Sequence, residues 1–176
     1  MLPAAVLVNT KYPHNLAAAI RACSCFNVPT LLWTGQRFAF RDGERLPREE
    51  RMKGFADVKV IAHERPFDAL PRRRTPVCIE LTPSAQPLGS FDHPDDAVYV
   101  FGPEDGHVPQ AYRSLCHAFV YIESAHCLNL AAALNVVLYD RARKLDLRLS
   151  PSVRERRGIE SAMADETIDI RGWDGA

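Results

Sequence analysis

Residues 120–144 read VYIESAHCLNLAAALNVVLYDRARK. The start of this stretch completes a short apolar run, Phe119-Val120-Tyr121-Ile122, which suits a buried strand. A polar break follows, from Glu123 to Asn129. Then Leu130, Leu134, Val137, Leu138 and Leu145 recur at helical spacing and predict a long helix over 128–147. Its far end is rich in Arg and Lys, which suits the negative end of a helix dipole. Asn129 is placed to cap that helix or to hydrogen-bond a neighbouring loop.

The same alternation extends toward the N-terminus. Apolar runs at 4–8, 30–33, 58–61, 77–81 and 97–101 read as five further strands. Near-continuous apolar runs fit a parallel sheet covered by helices on both faces. Between them, 14–26 sets Leu16, Ile20 and Cys23 on one helical face, and 109–116 reads as a short helix with Pro109 near its start. The fold class expected is α/β, a mostly parallel sheet with flanking helices.

Composition narrows the function. The chain has 176 residues, with 22 basic against 22 acidic side chains. Zero net charge excludes a polycationic binder but allows a local basic patch. Five cysteines without a C-x-x-C pair suggest neither a disulfide framework nor a zinc ribbon. No apolar stretch approaches the roughly 18 residues of a membrane span, and no signal peptide is evident, so a soluble cytoplasmic protein is expected. One domain is expected over 1–150. The tail, 151–176, is basic at first (Arg154, Arg156, Arg157) and then acidic; it reads as mobile or docked on a partner.

No G-x-G-x-x-G and no P-loop occurs, which argues against nicotinamide enzymes, NTPases and the common Rossmann-type methyltransferases. Three strand-to-helix junctions carry polar residues instead. The first runs from Asn9 to Asn15, with Arg21 on the helix beyond. Asn15 stands where an N-cap would, and Arg21 reads as a side chain snorkelling to the surface. In the second, Gly102 and Gly106 bracket an acidic turn after a strand, and Pro103-Glu104 holds a carboxylate at the strand's end. The third is Glu123 to Asn129. There His126 and Cys127 admit a Cys-His hydrolase, although no third group that would orient them is identifiable.

Taken in order, these junctions resemble the three motifs of the SpoU/TrmH branch of the SPOUT RNA methyltransferases. Motif 1, N-x-[GS]-x-x-x-R, corresponds to Asn15-Leu16-Ala17-Ala18-Ala19-Ile20-Arg21. Motif 2, an apolar strand ending in G-x-E-x-x-G, corresponds to VYVFGPEDGHVP at 98–109, and motif 3 to the opening stretch. The resemblance covers about residues 4–147. It implies a C-terminal deep trefoil knot, a homodimer with its active site at the interface, and S-adenosyl-L-methionine as cofactor. The cofactor would contact Leu81 and Thr82, then Phe101, Gly102 and Pro103, then Ile122, Cys127 and Leu128. The implied reaction methylates a ribose 2′-hydroxyl of RNA, with tRNA favoured and rRNA the other candidate. Resemblance assigns catalytic roles to Arg21, Asn15, Glu104 and Asn129. The alternative is a non-catalytic SPOUT-like RNA-binding protein.

Three departures from the pattern stand out. Ala17 replaces the motif 1 Gly or Ser, Cys127 replaces the motif 3 Ser, and Glu123 replaces a Pro in a loop shorter by about three residues. Basic residues able to meet RNA phosphate include Arg37, Arg41, Arg45, Arg48 and Arg51, then Arg72, Arg73 and Arg74, then Arg141, Arg143, Lys144 and Arg148 with the tail arginines.

Overall fold

The computed structural model describes residues 2–37 and 57–147. The charged segment at 38–56, with Arg41, Arg45, Arg48 and Arg51, lies outside them, as does the tail after residue 150. Seven strands are described: β1 (Ala4–Val8), β2 (Thr30–Thr34), β3 (Lys59–Ala62), β4 (Thr75–Ile79), β5 (Gln86–Pro87), β6 (Ala97–Phe101) and β7 (Ala118–Tyr121). The helices are α1 (Pro13–Cys25), α2 (Gln110–Arg113) and α3 (Leu130–Lys144). The six predicted strands are all present, each within two residues of the expected limits. β5, two residues long with no apolar run, has no sequence signal.

The strands form one sheet in the order β3-β2-β1-β6-β4-β7-β5, and every pairing is parallel. Side chains alternate between its faces, as the two-residue strand period requires. Leu7, Val77, Tyr99 and Val120 point to one face, where Leu16, Ile20 and Cys23 of α1 pack with Leu134, Val137 and Leu138 of α3. Val6, Cys78, Val98 and Val100 point to the other, against Val108, Phe67 and Tyr112. With both faces covered, every residue of β1 and β6 is buried. Later strands insert among earlier ones: β6 lies between β1 and β4, and β7 between β4 and β5. Among the described residues, no helix is long and apolar enough to cross a membrane.

Two local readings change. Asn15 is not the cap of α1. Tyr12 holds that position, Pro13 starts the helix, and Asn15 is buried within the first turn. Proline suits the first helical position because its missing N–H has no partner to lose. Arg141 and Lys144 are not free to meet phosphate. Arg141 is buried, and its guanidinium donates to the Asp95 carbonyl at 3.3 Å. Lys144 Nζ donates to the carbonyls of Leu88 (2.5 Å) and Phe91 (3.1 Å) and pairs with Asp140 at 2.8 Å.

These contacts belong to a polar lock between α3 and the segment leading into β6. His93, fully enclosed, lies 2.7 Å from the Tyr99 hydroxyl through Nδ1 and 2.8 Å from Asp140 through Nε2. Phe91 meets the His93 ring edge-on at 5.0 Å. His93→Ala is expected to cost about 2–4 kcal/mol, through a cavity and two lost hydrogen bonds in the interior. Urea denaturation at pH 7.5 checks this. Burial holds the His93 pKa below its ordinary 6.5, against the opposing pull of Asp140. The folded state thus resists protonation more than the unfolded chain. The stability it contributes is present above pH 6.5 and is lost as pH falls from there toward the lowered native value. His93→Ala is expected to flatten that part of the stability–pH curve.

Candidate active site

In open α/β sheets, ligands bind outside the carboxyl ends of the strands. Here the loops following β4, β6 and β7 come together at that edge. They enclose a cleft of about 650 Å³, bordered by the start of α3. Ile79, Leu81, Phe101, Ile122 and Leu128 give it apolar walls, while Glu80, Glu104 and Glu123 bring carboxylates to it. Its size and mixed lining suit a small organic ligand.

Gly102 shapes the floor of the cleft. The chain folds back so closely that a Cβ on Gly102 would lie 2.9 Å from the Val108 backbone nitrogen and 3.2 Å from the His107 carbonyl carbon. Glu80 fixes this fold-back, accepting hydrogen bonds from the Val108 N–H at 3.0 Å and from His107 Nδ1 at 3.1 Å. Gly106, by contrast, has room: a Cβ there would meet only Pro103 Cγ, at 3.5 Å.

Beside the cleft, three residues from distant parts of the chain form one hydrogen-bonded line. Glu104 accepts from the Lys11 backbone N–H at 2.8 Å and from the Asn15 side-chain amide. Asn15 Oδ1 accepts in turn from Asn129 Nδ2 at 3.1 Å. Asn129 then caps α3, its Oδ1 accepting from the Ala131 and Ala132 N–H groups at 2.9 and 3.4 Å. Asn129 therefore caps α3 as expected, and its second contact is with the first turn of α1 and not with a loop.

A second clamp holds the neighbouring turn. Arg37 donates twice to Asp105, at 2.6 Å each, and Lys11 Nζ adds a third contact at 3.3 Å. These cations hold the Asp105 carboxyl far below the usual range. Arg37 is thereby engaged within the chain. Lys11, Glu80 and the Arg37–Asp105 clamp have no place in the sequence-predicted site. Glu80 had one signal, a carboxylate directly after an apolar strand.

Of the predicted cofactor residues, Leu81, Phe101, Gly102, Pro103, Ile122, Cys127 and Leu128 line the cleft. Thr82 lies outside the lining, its hydroxyl 3.4 Å from Ser84 Oγ. Of the four predicted catalytic residues, the structure joins Asn15, Glu104 and Asn129. Arg21 is exposed on α1 and is not among the residues that line the cleft. Six residues past Asn15 is roughly 240° around a helix, so its side chain leaves from another face. His126 and Cys127 both line the cleft, but Ser124 donates to the His126 carbonyl and not to its ring. No orienting partner for a thiol–imidazole pair appears among the described residues.

The profile of the SpoU rRNA Methylase family matches residues 3–139. The chain belongs to that family. A comparison with curated protein sequences finds no match. Solved structures of SpoU-type proteins share the fold. An A. aeolicus TrmH/SpoU tRNA modifying enzyme is 19% identical with a TM-score of 0.70, over 89% of this chain and 84% of that one. An AdoMet-bound rRNA methyltransferase from Sinorhizobium meliloti is 20% identical with a TM-score of 0.68, over 82% of this chain and 57% of that one. The methyltransferase AviRb from Streptomyces viridochromogenes, solved with AdoMet, is 18% identical with a TM-score of 0.68, over 82% and 61%. The SpoU chain described here thus spans little more than half the length of the Sinorhizobium protein. These likenesses bear out the parallel α/β SPOUT architecture that the motifs imply.

Proposed function

We propose that this SpoU-family protein is an S-adenosylmethionine-dependent RNA methyltransferase that methylates a ribose 2′-hydroxyl, with tRNA favoured over rRNA and the reaction placed in the cytoplasm. The observation that carries the reading is the line Glu104–Asn15–Asn129. It ties the three motif segments together at the edge of the cleft. The cleft fits the cofactor: its volume suits a nucleoside-sized ligand, its walls offer an apolar seat for an adenine ring, and Gly102 permits the tight fold-back that shapes its floor.

When bound, the cofactor supplies an electrophilic methyl group on a sulfonium. The chain's own residues supply position. Glu104 fixes Asn15, Asn15 fixes Asn129, and Asn129 sets the start of α3 beside the cleft. A ribose hydroxyl is a weak nucleophile and must lose its proton as it attacks. Arg21 hydrogen-bonds that hydroxyl and the adjacent phosphate. A guanidinium stays protonated, so its contribution is alignment and charge, with much of the rate coming from in-line placement.

Arg21 does not line the cleft of its own chain, and a homodimer accounts for this by bringing Arg21 of one protomer to the cleft of its partner. Exposed apolar side chains on α3, Val136 at 38% and Tyr139 at 58%, support an interface on this side of the sheet. The trefoil knot belongs to the same proposal, supported by the insertion of β6 and β7 between strands formed earlier.

Transfer of labelled methyl from S-adenosylmethionine to tRNA and to rRNA tests the reading. Arg21→Ala is expected to lose transfer by about a hundredfold while keeping cofactor affinity. Equal mixing of unfolded Arg21→Ala and Glu104→Ala chains, followed by refolding, is expected to restore roughly a quarter of wild-type activity. Half the dimers would be mixed, each with one intact site. No recovery above the separate variants would place Arg21 and the cleft of one chain in the same site. Wild-type activity in a folded Arg21→Ala protein would remove Arg21 from the mechanism.

A further inference from the structure

The cofactor cleft carries a charge imbalance. Glu80, Glu104 and Glu123 line it, and among the described residues no lysine or arginine does. Two of these carboxylates are committed within the protein. Glu80 accepts from Val108 and His107, and Glu104 from Lys11 and Asn15. Glu123 differs: among the described residues its carboxylate makes no hydrogen bond or ion pair. It stands beside Gly89, where an added Cβ would lie 3.3 Å from Glu123 Oε2. A side chain at position 89 would crowd the carboxylate, and Glu123 itself is exposed. Glu123 is also one of the three departures from the family pattern, standing where the motif has a Pro.

S-adenosylmethionine carries a sulfonium, an ammonium and a carboxylate, and is a net monocation. Its demethylated product has a neutral thioether in place of the sulfonium and is net neutral. Resting on the cofactor reading above, we propose that Glu123 is a specificity-determining residue that makes the cleft favour the cationic methyl donor over its neutral product. A carboxylate without an internal partner gains Coulomb energy from the donor's extra charge and little from the product. The consequence for turnover is that the spent cofactor leaves more readily than the donor does.

Calorimetric titration of S-adenosylmethionine and of S-adenosylhomocysteine into the full-length protein tests this without any assay of activity. Glu123→Gln keeps the shape and removes the charge. It is expected to weaken binding of the donor about fivefold and to leave the product within twofold, and added salt should reproduce part of that loss in the wild type. Glu123→Lys should extend the donor's loss further. Equal weakening of both ligands would make Glu123 a neutral contact and overturn the proposal, as would no change in either. If the wild-type protein bound neither ligand, the cofactor reading would fall and this inference with it. Binding of both without charge discrimination would sink this inference alone.

Discussion

Glu104→Ala is expected to lower methyl transfer by about a hundredfold or more and to destabilise the fold by about 2–3 kcal/mol. Glu104 has two oxygens and two donors, the Lys11 backbone N–H and the Asn15 amide. Asn15 is 2% exposed, so water cannot readily replace the missing acceptor. Its amide would be left unpaired, and its hold on Asn129 would loosen. The start of α3 and the loop between β7 and α3 would then shift against the cleft, and small displacements of positioning groups have large kinetic effects. Glu104→Gln is expected to fare little better. Only one of its two terminal atoms accepts, so an NH₂ group would face a donor. Urea denaturation with transfer kinetics on the same preparations checks both variants.

Gly102→Val is expected to weaken cofactor binding by at least tenfold and to cost about 1–3 kcal/mol in stability. Even a bare Cβ would meet the Val108 nitrogen at 2.9 Å, and that atom is backbone, unable to swing aside. The turn would have to open, which breaks the Val108 N–H to Glu80 hydrogen bond and deforms the cleft floor. Gly106→Ala is the matched control. Its new methyl would make an ordinary contact with Pro103, and cofactor affinity should stay within twofold of wild type. Titration calorimetry on the two variants separates the roles of the glycines.

That contrast shows what was legible in the sequence. Gly102 and Gly106 look equivalent there, as brackets of one turn. Only the fold-back of Val108 against Gly102 distinguishes them, and it depends on Glu80, more than twenty residues away in sequence. The strands were readable because a sheet covered on both faces demands unbroken apolar runs, as β1 and β6 show. β5 was not, since Gln86–Pro87 pairs with β7 without burying an apolar run. Asn15 looked like a cap because a polar residue ahead of an apolar helical face usually is one. Pro13 starts the helix, so the cap position falls three residues earlier, on Tyr12, and the Asn15 side chain is free for Glu104. The His93–Asp140–Lys144 lock left only a faint trace, the i,i+4 spacing of Asp140 and Lys144 on α3. Its partners on the segment before β6 are more than forty residues away. The Glu104–Asn15–Asn129 grouping was legible only through the resemblance, because its links span 89 and 114 residues.

The most direct test of the central claim is the position of the transferred methyl group. The purified protein would be incubated with methyl-labelled S-adenosylmethionine and unmodified tRNA or rRNA, and the RNA digested to nucleosides for mass spectrometry. A labelled 2′-O-methylnucleoside is expected, with the label retained on the ribose fragment and reduced about a hundredfold or more after Glu104→Ala. Label on a base, or cofactor binding with no transfer to either RNA, would contradict it.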